Sequence, residues 1–334
     1  MTKRILGILS SLPAPRRPLL LSIALVAPAC GASDDGEAMT FESGRGGSAA
    51  ILEPDPSGAR ETAPPAMPFD PPASGYAEMN LYDGDPPNYL ASAPVESIDP
   101  PNDVISNVSV PTLRRYPVDE SKSSGVAFIA FPGGGYQVLD MERAATALAV
   151  RLGPLGISVF GLKSRVGGGS TDARRDALLD AERALRLTRS HAAEWGLDPS
   201  RIGTVSWSAG SHLALTLAGS FDSGDPASGD AVERESSRPD FMAVMCAWED
   251  DPSTFSFTAS TPPIYLCHAE DDTDAPIGDS RAVEQKLQAA GTLEHLEVYE
   301  TGGHLAFNVG DPTASGRDWP DQYLAWLRTH QLIP

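Results

Sequence analysis

The chain has 334 residues, with 25 Lys and Arg against 45 Asp and Glu, for a formal net charge of −20. That balance argues against a nucleic-acid or anionic-lipid surface, because such surfaces are met by clustered cations. Three cysteines exclude a disulfide-dense miniature fold, and neither CxxC nor HExxH spacing suggests a zinc site, so no metal and no cofactor is expected. A 41% hydrophobic content can fill a sizeable core, while 31 Gly and 30 Pro imply a long punctuated segment.

In chain order, residues 1–30 read as an export signal: Lys3, Arg4, Arg16 and Arg17 give the positive region and residues 19–26 (LLLSIALV) the apolar one. The apolar run is too short to span a bilayer as a mature helix. Ala27-Pro28-Ala29-Cys30 follows and resembles a bacterial lipobox, with Cys30 as the lipidated residue; the alternative is an ordinary secretory signal cut near Ala29 or Ala32. Residues 31–74 are Gly, Ser, Ala, Pro and acidic residues without helical or strand periodicity, the composition of a disordered tether. The expected product is exported, either lipid-anchored to the cell envelope through Cys30, its one membrane contact, or secreted. A single domain is expected over 75–334.

Within that domain, 104–116 is expected to supply antiparallel strands. Apolar strand-like runs follow at 126–131, 157–162, 202–205, 241–247, 263–268 and 293–299. Amphipathic helical stretches lie at 140–152 and 172–195, the latter with Ala177, Leu178, Ala181, Leu185, Thr188, Ala192 and Trp195 at helical spacing. This alternation is the signature of an α/β fold, a mostly parallel sheet with helices on both faces, whose ligands sit beyond the carboxyl ends of the strands.

Those ends carry the chemistry. After the strand at 202–205 comes Ser206-Trp207-Ser208-Ala209-Gly210 and then the helical run Ser211-His212-Leu213-Ala214-Leu215, the strand-turn-helix context of a nucleophile elbow with Ser206 in place of the first glycine of G-x-S-x-G. A serine hydroxyl needs a base, and the base an orienting carboxylate. Ala269-Glu270-Asp271-Asp272-Thr273-Asp274 and Glu300-Thr301-Gly302-Gly303-His304 end later strands, giving Ser, Asp, His in that order, 64 and 32 residues apart. Pro132-Gly133-Gly134-Gly135-Tyr136 follows the strand at 126–131 and can present backbone N–H groups to an oxyanion, each donor being worth roughly 10²–10³ in rate.

Together these motifs resemble the α/β-hydrolase superfamily, and within it the bacterial acetylxylan-esterase-like hydrolases, whose members carry labels such as xylan esterase or "endo-1,4-beta-xylanase". The likeness runs from Leu81 to Trp326 and includes Ser164-Arg165-Val166, Asp180-Ala181-Glu182 and Glu194-Trp195-Gly196-Leu197-Asp198-Pro199. It implies Ser208 as nucleophile, His304 as base and then acid, Asp272 as orienting carboxylate, and an oxyanion hole from the N–H groups of Gly134, Gly135 and Ala209. The chain departs from the family at Ser206 and Ser211, where Gly is usual, at Ser164, where Tyr is usual, and at Arg143, where Gly follows the acidic residue.

Asp271 and Asp274 compete with Asp272; the family spacing before Ala275-Pro276 favours Asp272, and turn capping is left for the others. His212 and His268 are expected to be hydrogen-bonded structural groups, and Cys246 and Cys267 buried free thiols. Tyr136, Trp207 and Trp248 are expected to line the substrate pocket, with core packing as the other role open to Trp207. The implied function is an exported serine carboxylic-ester hydrolase that removes small acyl groups, acetyl foremost, from carbohydrate such as xylan; the partner is an acylated carbohydrate or small ester. The alternatives are a peptidase or other acyl hydrolase on the same fold, and an inactive glycan-binding lipoprotein. A glycanase is disfavoured, since its paired carboxylates are not the strand-end set here.

Overall fold

A computed structural model describes residues 75–99, 102–248 and 254–334. The signal, Cys30 and tether expectations fall outside them. In chain order the elements are β1 (Ala77–Asn80), β2 (Ser97–Asp99), β3 (Val104–Ser106), β4 (Thr112–Arg115), β5 (Ala127–Phe131), β6 (Val138–Asp140), α1 (Ala147–Leu152), β7 (Ser158–Lys163), α2 (Ala173–Ser190), β8 (Ile202–Trp207), α3 (Ala209–Ser220), β9 (Met242–Met245), β10 (Ile264–Ala269), α4 (Ile277–Ala290), β11 (Glu294–Tyr299) and α5 (Trp319–Thr329). No described helix is long and apolar enough to cross a membrane.

An eight-stranded sheet runs in the order β1-β4-β7-β5-β8-β9-β10-β11. β1 and β4 join antiparallel at one edge, and the strands from β7 onward are parallel. β5, β7, β8, β9 and β10 are buried along their whole length, which is why they read as continuous apolar runs. The period of two still sorts their side chains. Phe128, Ala130, Val205, Met245 and Cys267 face α1 and α5, whereas Ile129, Phe131, Met242, Val244 and Leu266 face α2, α3 and α4. Helices on both faces of a mostly parallel sheet, in this eight-strand order with its antiparallel edge, match the expected α/β-hydrolase fold.

The helices start where local chemistry allows. The Asp172 carboxylate accepts from Arg175 N at the head of α2, and Gly291 closes α4 in the left-handed conformation at φ 71. Arg165, just beyond β7, lays its guanidinium on the buried Asp180 carboxylate of α2 with contacts of 2.7–3.1 Å, tying a strand end to a helix. Two family motifs are thus explained as structural.

One expectation is corrected. The stretch 140–152 is not one helix: β6 ends at Asp140, a π-helical turn covers Glu142–Thr146, and only Ala147–Leu152 is α-helical. β6 is drawn out of the helix by pairing with β3 in a separate three-stranded sheet, β2-β3-β6. Residues 104–116 do supply antiparallel strands as expected, divided between two sheets, β3 going to the small one and β4 to the large one.

Candidate active site

Ser208 lies between β8 and α3 at φ 54, ψ −121, a conformation that non-glycine residues avoid. Its surroundings hold it there. Ser208 N donates to Met245 O at 3.1 Å, and Gly210 passes so near β5 that a Cβ would lie 2.1 Å from the Phe131 carbonyl oxygen. The two departures from glycine fit. Ser206 Oγ donates to Ala243 O at 3.1 Å and Ser211 Oγ to Met245 O at 2.6 Å, so both buried hydroxyls are satisfied and stitch the elbow to β9.

The turn after β10 carries Asp272, which is 6% exposed. One carboxylate oxygen accepts from Asp274 N (2.9 Å) and Ala275 N (3.0 Å); the other receives His304 Nδ1 at 2.8 Å. Burial alone would raise this carboxyl. Donors from His268, His304 and Ala275 N outweigh it and hold Asp272 well below the usual carboxylate range, so it is anionic. An anionic partner at Nδ1 makes that nitrogen the donor and leaves Nε2 as the basic one.

His268 is fully buried behind Asp272, its Nε2 2.7 Å from Ala275 O and 3.5 Å from Asp272, its Nδ1 2.6 Å from Ser280 Oγ. It is a hydrogen-bonded core group. His212 is also engaged, with Nδ1 2.7 Å from the Tyr136 hydroxyl.

The sequence reading missed what holds the His304 loop. Both Asp271 carboxylate oxygens are used there, accepting from Gly302 N (3.1 Å) and Gly303 N (2.7 Å), and those two amides hold its carboxyl below the ordinary range. The two glycines sit at φ 128 and 58, which a side chain would resist. Trp207 Nε1 donates to His304 O at 3.1 Å. The signal for Asp271 was the doubled aspartate, where neighbours on a turn aim opposite ways, one at the imidazole and one at its loop.

The glycine loop after β5 lies against the nucleophile: a Cβ on Gly133 would be 3.2 Å from Ser208 Cβ. Gly134 and Gly135 have φ 130 and 62, and a Cβ on Gly134 would meet Val138 O at 2.2 Å. The N–H groups of Gly134, Gly135 and Ala209 donate to no backbone acceptor among the described residues.

The three expected pocket residues do not share a wall. Tyr136 and Trp248 gather around His212, the Trp248 ring 5.9 Å from its imidazole, with the Arg174 guanidinium 5.3 Å from the Trp248 ring. Trp207 is packed in the core on the α1 and α5 side, 6% exposed, and supports His304 from beneath. Its alternative role as a substrate platform is set aside, because its ring is covered and its N–H is engaged. Glu249 and Asp250, which follow Trp248, lie outside the described residues.

Cys246 and Cys267 are free and buried. The Cys246 sulfur comes within 4.8 Å of ligand atoms of Asp272 and His304. Burial first, and the Asp272 charge second, push its thiol well up, so it stays protonated and is a poor metal ligand or nucleophile.

A strained serine at an elbow, an Asp–His pair at later strand ends and a glycine loop beside the serine are arranged as in serine hydrolases, on an α/β-hydrolase fold. No family model matches the chain. Among curated relatives it is 30% identical over 95 residues to an acetylxylan esterase of Xylanibacter ruminicola, covering 28% of this chain and 19% of that one. It is 23% identical over 227 residues to an isoprenylcysteine alpha-carbonyl methylesterase of Arabidopsis thaliana, covering 57% and 53%. The chain thus spans about half, or less, of the length of these relatives. Among solved structures, the acetyl ester-xyloside bifunctional hydrolase from Caldicellulosiruptor lactoaceticus superposes with a TM-score of 0.61 at 28% identity, over 77% of this chain and 97% of that one. Esterase 2 of Thermogutta terrifontis, phosphoramylated by tabun, shares the fold with a TM-score of 0.59 at 20% identity, over 80% and 99%.

Proposed function

We propose that the chain is an exported serine carboxylic-ester hydrolase that removes small acyl groups, acetyl foremost, from carbohydrate of the xylan type. The observation that carries the hydrolase reading is the 2.8 Å bond from His304 Nδ1 to an ionised Asp272, in a chain whose elbow holds Ser208 at a strained φ of 54. In this scheme Ser208 Oγ attacks the ester carbonyl while His304 Nε2 takes its proton. The oxyanion collects the amides of Gly134 or Gly135 and Ala209. His304 then protonates the leaving alcohol, and water, deprotonated by the same nitrogen, releases the acid from the acyl-enzyme.

The acetyl and sugar parts of the reading are supported by the names of two relatives, an acetylxylan esterase and an acetyl ester-xyloside hydrolase. Export rests on the sequence of residues 1–30 alone. The binding-protein alternative drew on the departures at Ser206 and Ser211, and both serines are hydrogen-bonded within a closed elbow. Acetate release from acetylated xylan tests the activity: wild type should liberate it and Ser208→Ala should not. Equal release by both proteins overturns the nucleophile. Incorporation of labelled palmitate that is lost in Cys30→Ser tests the anchor, and an unlabelled mature chain overturns it.

A further inference from the structure

A cavity of about 370 Å³ opens between the π-helical turn that leads into α1 and the loop that follows His304. Asp140, Glu142 and Arg143 form one wall, Asn308 and Asp311 the other, with Asn102 at the rim. Its size suits a small-molecule site. We propose that this cavity is the subsite for the sugar part of the leaving alcohol, recognising a neutral pyranoside through its hydroxyl groups; the proposal rests on the carbohydrate-ester reading above.

Position argues first. Both walls are chain continuations of catalytic segments. Asp140 N donates to Gly133 O at 3.1 Å, and Gly133 abuts Ser208, while Asn308 lies four residues beyond His304. In ester cleavage the acyl oxygen turns to the glycine loop and the leaving oxygen to the imidazole that protonates it. The alcohol therefore extends on the His304 side, where the downstream loop walls this cavity.

Chemistry argues second. The polar walls hold three carboxyl groups, two carboxamides and one guanidinium, a mixture of acceptors and donors that suits hydroxyls, each of which donates and accepts. Such walls offer little to a long apolar chain, and the excess of carboxyl groups disfavours a uronate or phosphate. Arg143 is paired with Asp140, whose carboxylate also accepts Arg143 N at 3.2 Å. That pairing fixes the guanidinium at the cavity wall. Arg143 also stands where the resembling family has glycine, so this donor belongs to this chain's specificity.

The experiment compares kcat/KM for acetylated xylobiose with kcat/KM for p-nitrophenyl acetate in wild type, Arg143→Gly and Glu142→Gln. Loss of a charged donor to a hydroxyl should lower the ratio of the two about fivefold in Arg143→Gly, mostly through KM for the sugar ester, and loss of a charged acceptor should lower it about twofold in Glu142→Gln. Free xylobiose should inhibit p-nitrophenyl acetate hydrolysis by wild type, and more weakly in Arg143→Gly. An unchanged ratio and unchanged inhibition in both variants, with wild type active on the acetylated sugar, overturn the subsite and leave the hydrolase reading standing. A wild type that cleaves p-nitrophenyl acetate but not acetylated xylobiose overturns the sugar reading and the subsite together.

Discussion

Ser208 is gripped from every side: β5 closes on Gly210, two serine hydroxyls bond β9, and its own N–H bonds Met245 O. His304 rides on a half-exposed loop held by the Asp271 carboxylate, the Trp207 indole and its own bond to Asp272, with Leu305 beside it 49% exposed. Packing fixes the nucleophile, whereas a few directed polar contacts fix the base. Backbone strain at Ser208 needs an over-determined setting, while the imidazole needs only correct aim.

If so, the elbow should fail as a unit and the loop by degrees. Gly210→Ala places a methyl against the Phe131 carbonyl and should destabilise the domain by about 3 kcal/mol, abolishing activity with it. Thermal unfolding monitored with ester hydrolysis checks this, and a stable, active variant would show that the elbow has slack. Asp272→Asn should keep the fold near neutral pH yet lower kcat by roughly 10⁴, the imidazole being held in the wrong tautomer.

Asp272 also predicts a pH signature. Its folded pKa is depressed, so its stabilisation is complete above the carboxylate's unfolded value near 4 and fades as pH falls below that toward the folded value. The gap in denaturation midpoint between wild type and Asp272→Asn should therefore begin to narrow below about pH 4 and go on narrowing as the pH falls further. A gap that persists unchanged at pH 2 would place the carboxylate's contribution elsewhere.

Smaller effects belong to the loop. Asp271→Ala frees the Gly302 and Gly303 amides and should lower kcat about tenfold at nearly unchanged Tm, as expected when a base loses its aim without losing its partner. Trp207→Phe removes one donor to His304 O and should cost about 1 kcal/mol of stability with a few-fold loss in kcat. A loop effect as large as the elbow's would erase the contrast.

The sequence exposes these two regions unequally for the same reason. Continuous apolar runs and the residues around Ser208 are local, so β5, β7, β8, β9, β10 and the elbow can be read directly. The order Ser, Asp, His places the relay. β6 could not be read, because its three residues are strand only through pairing with β3. The supports of His304 are likewise long-range: Trp207 meets the loop across 97 residues and Asp271 across 31 to 32. Trp207, beside the nucleophile, fits either pocket or core by sequence, and its covered ring and bond to the His304 carbonyl separate the two.

Treatment with a fluorophosphonate probe followed by peptide mass spectrometry tests the central claim most directly. The probe should attach to Ser208 in wild type, far more slowly in His304→Ala, and not at all in Ser208→Ala. Attachment to a different residue, or equal labelling of wild type and His304→Ala, would contradict a serine activated by that imidazole.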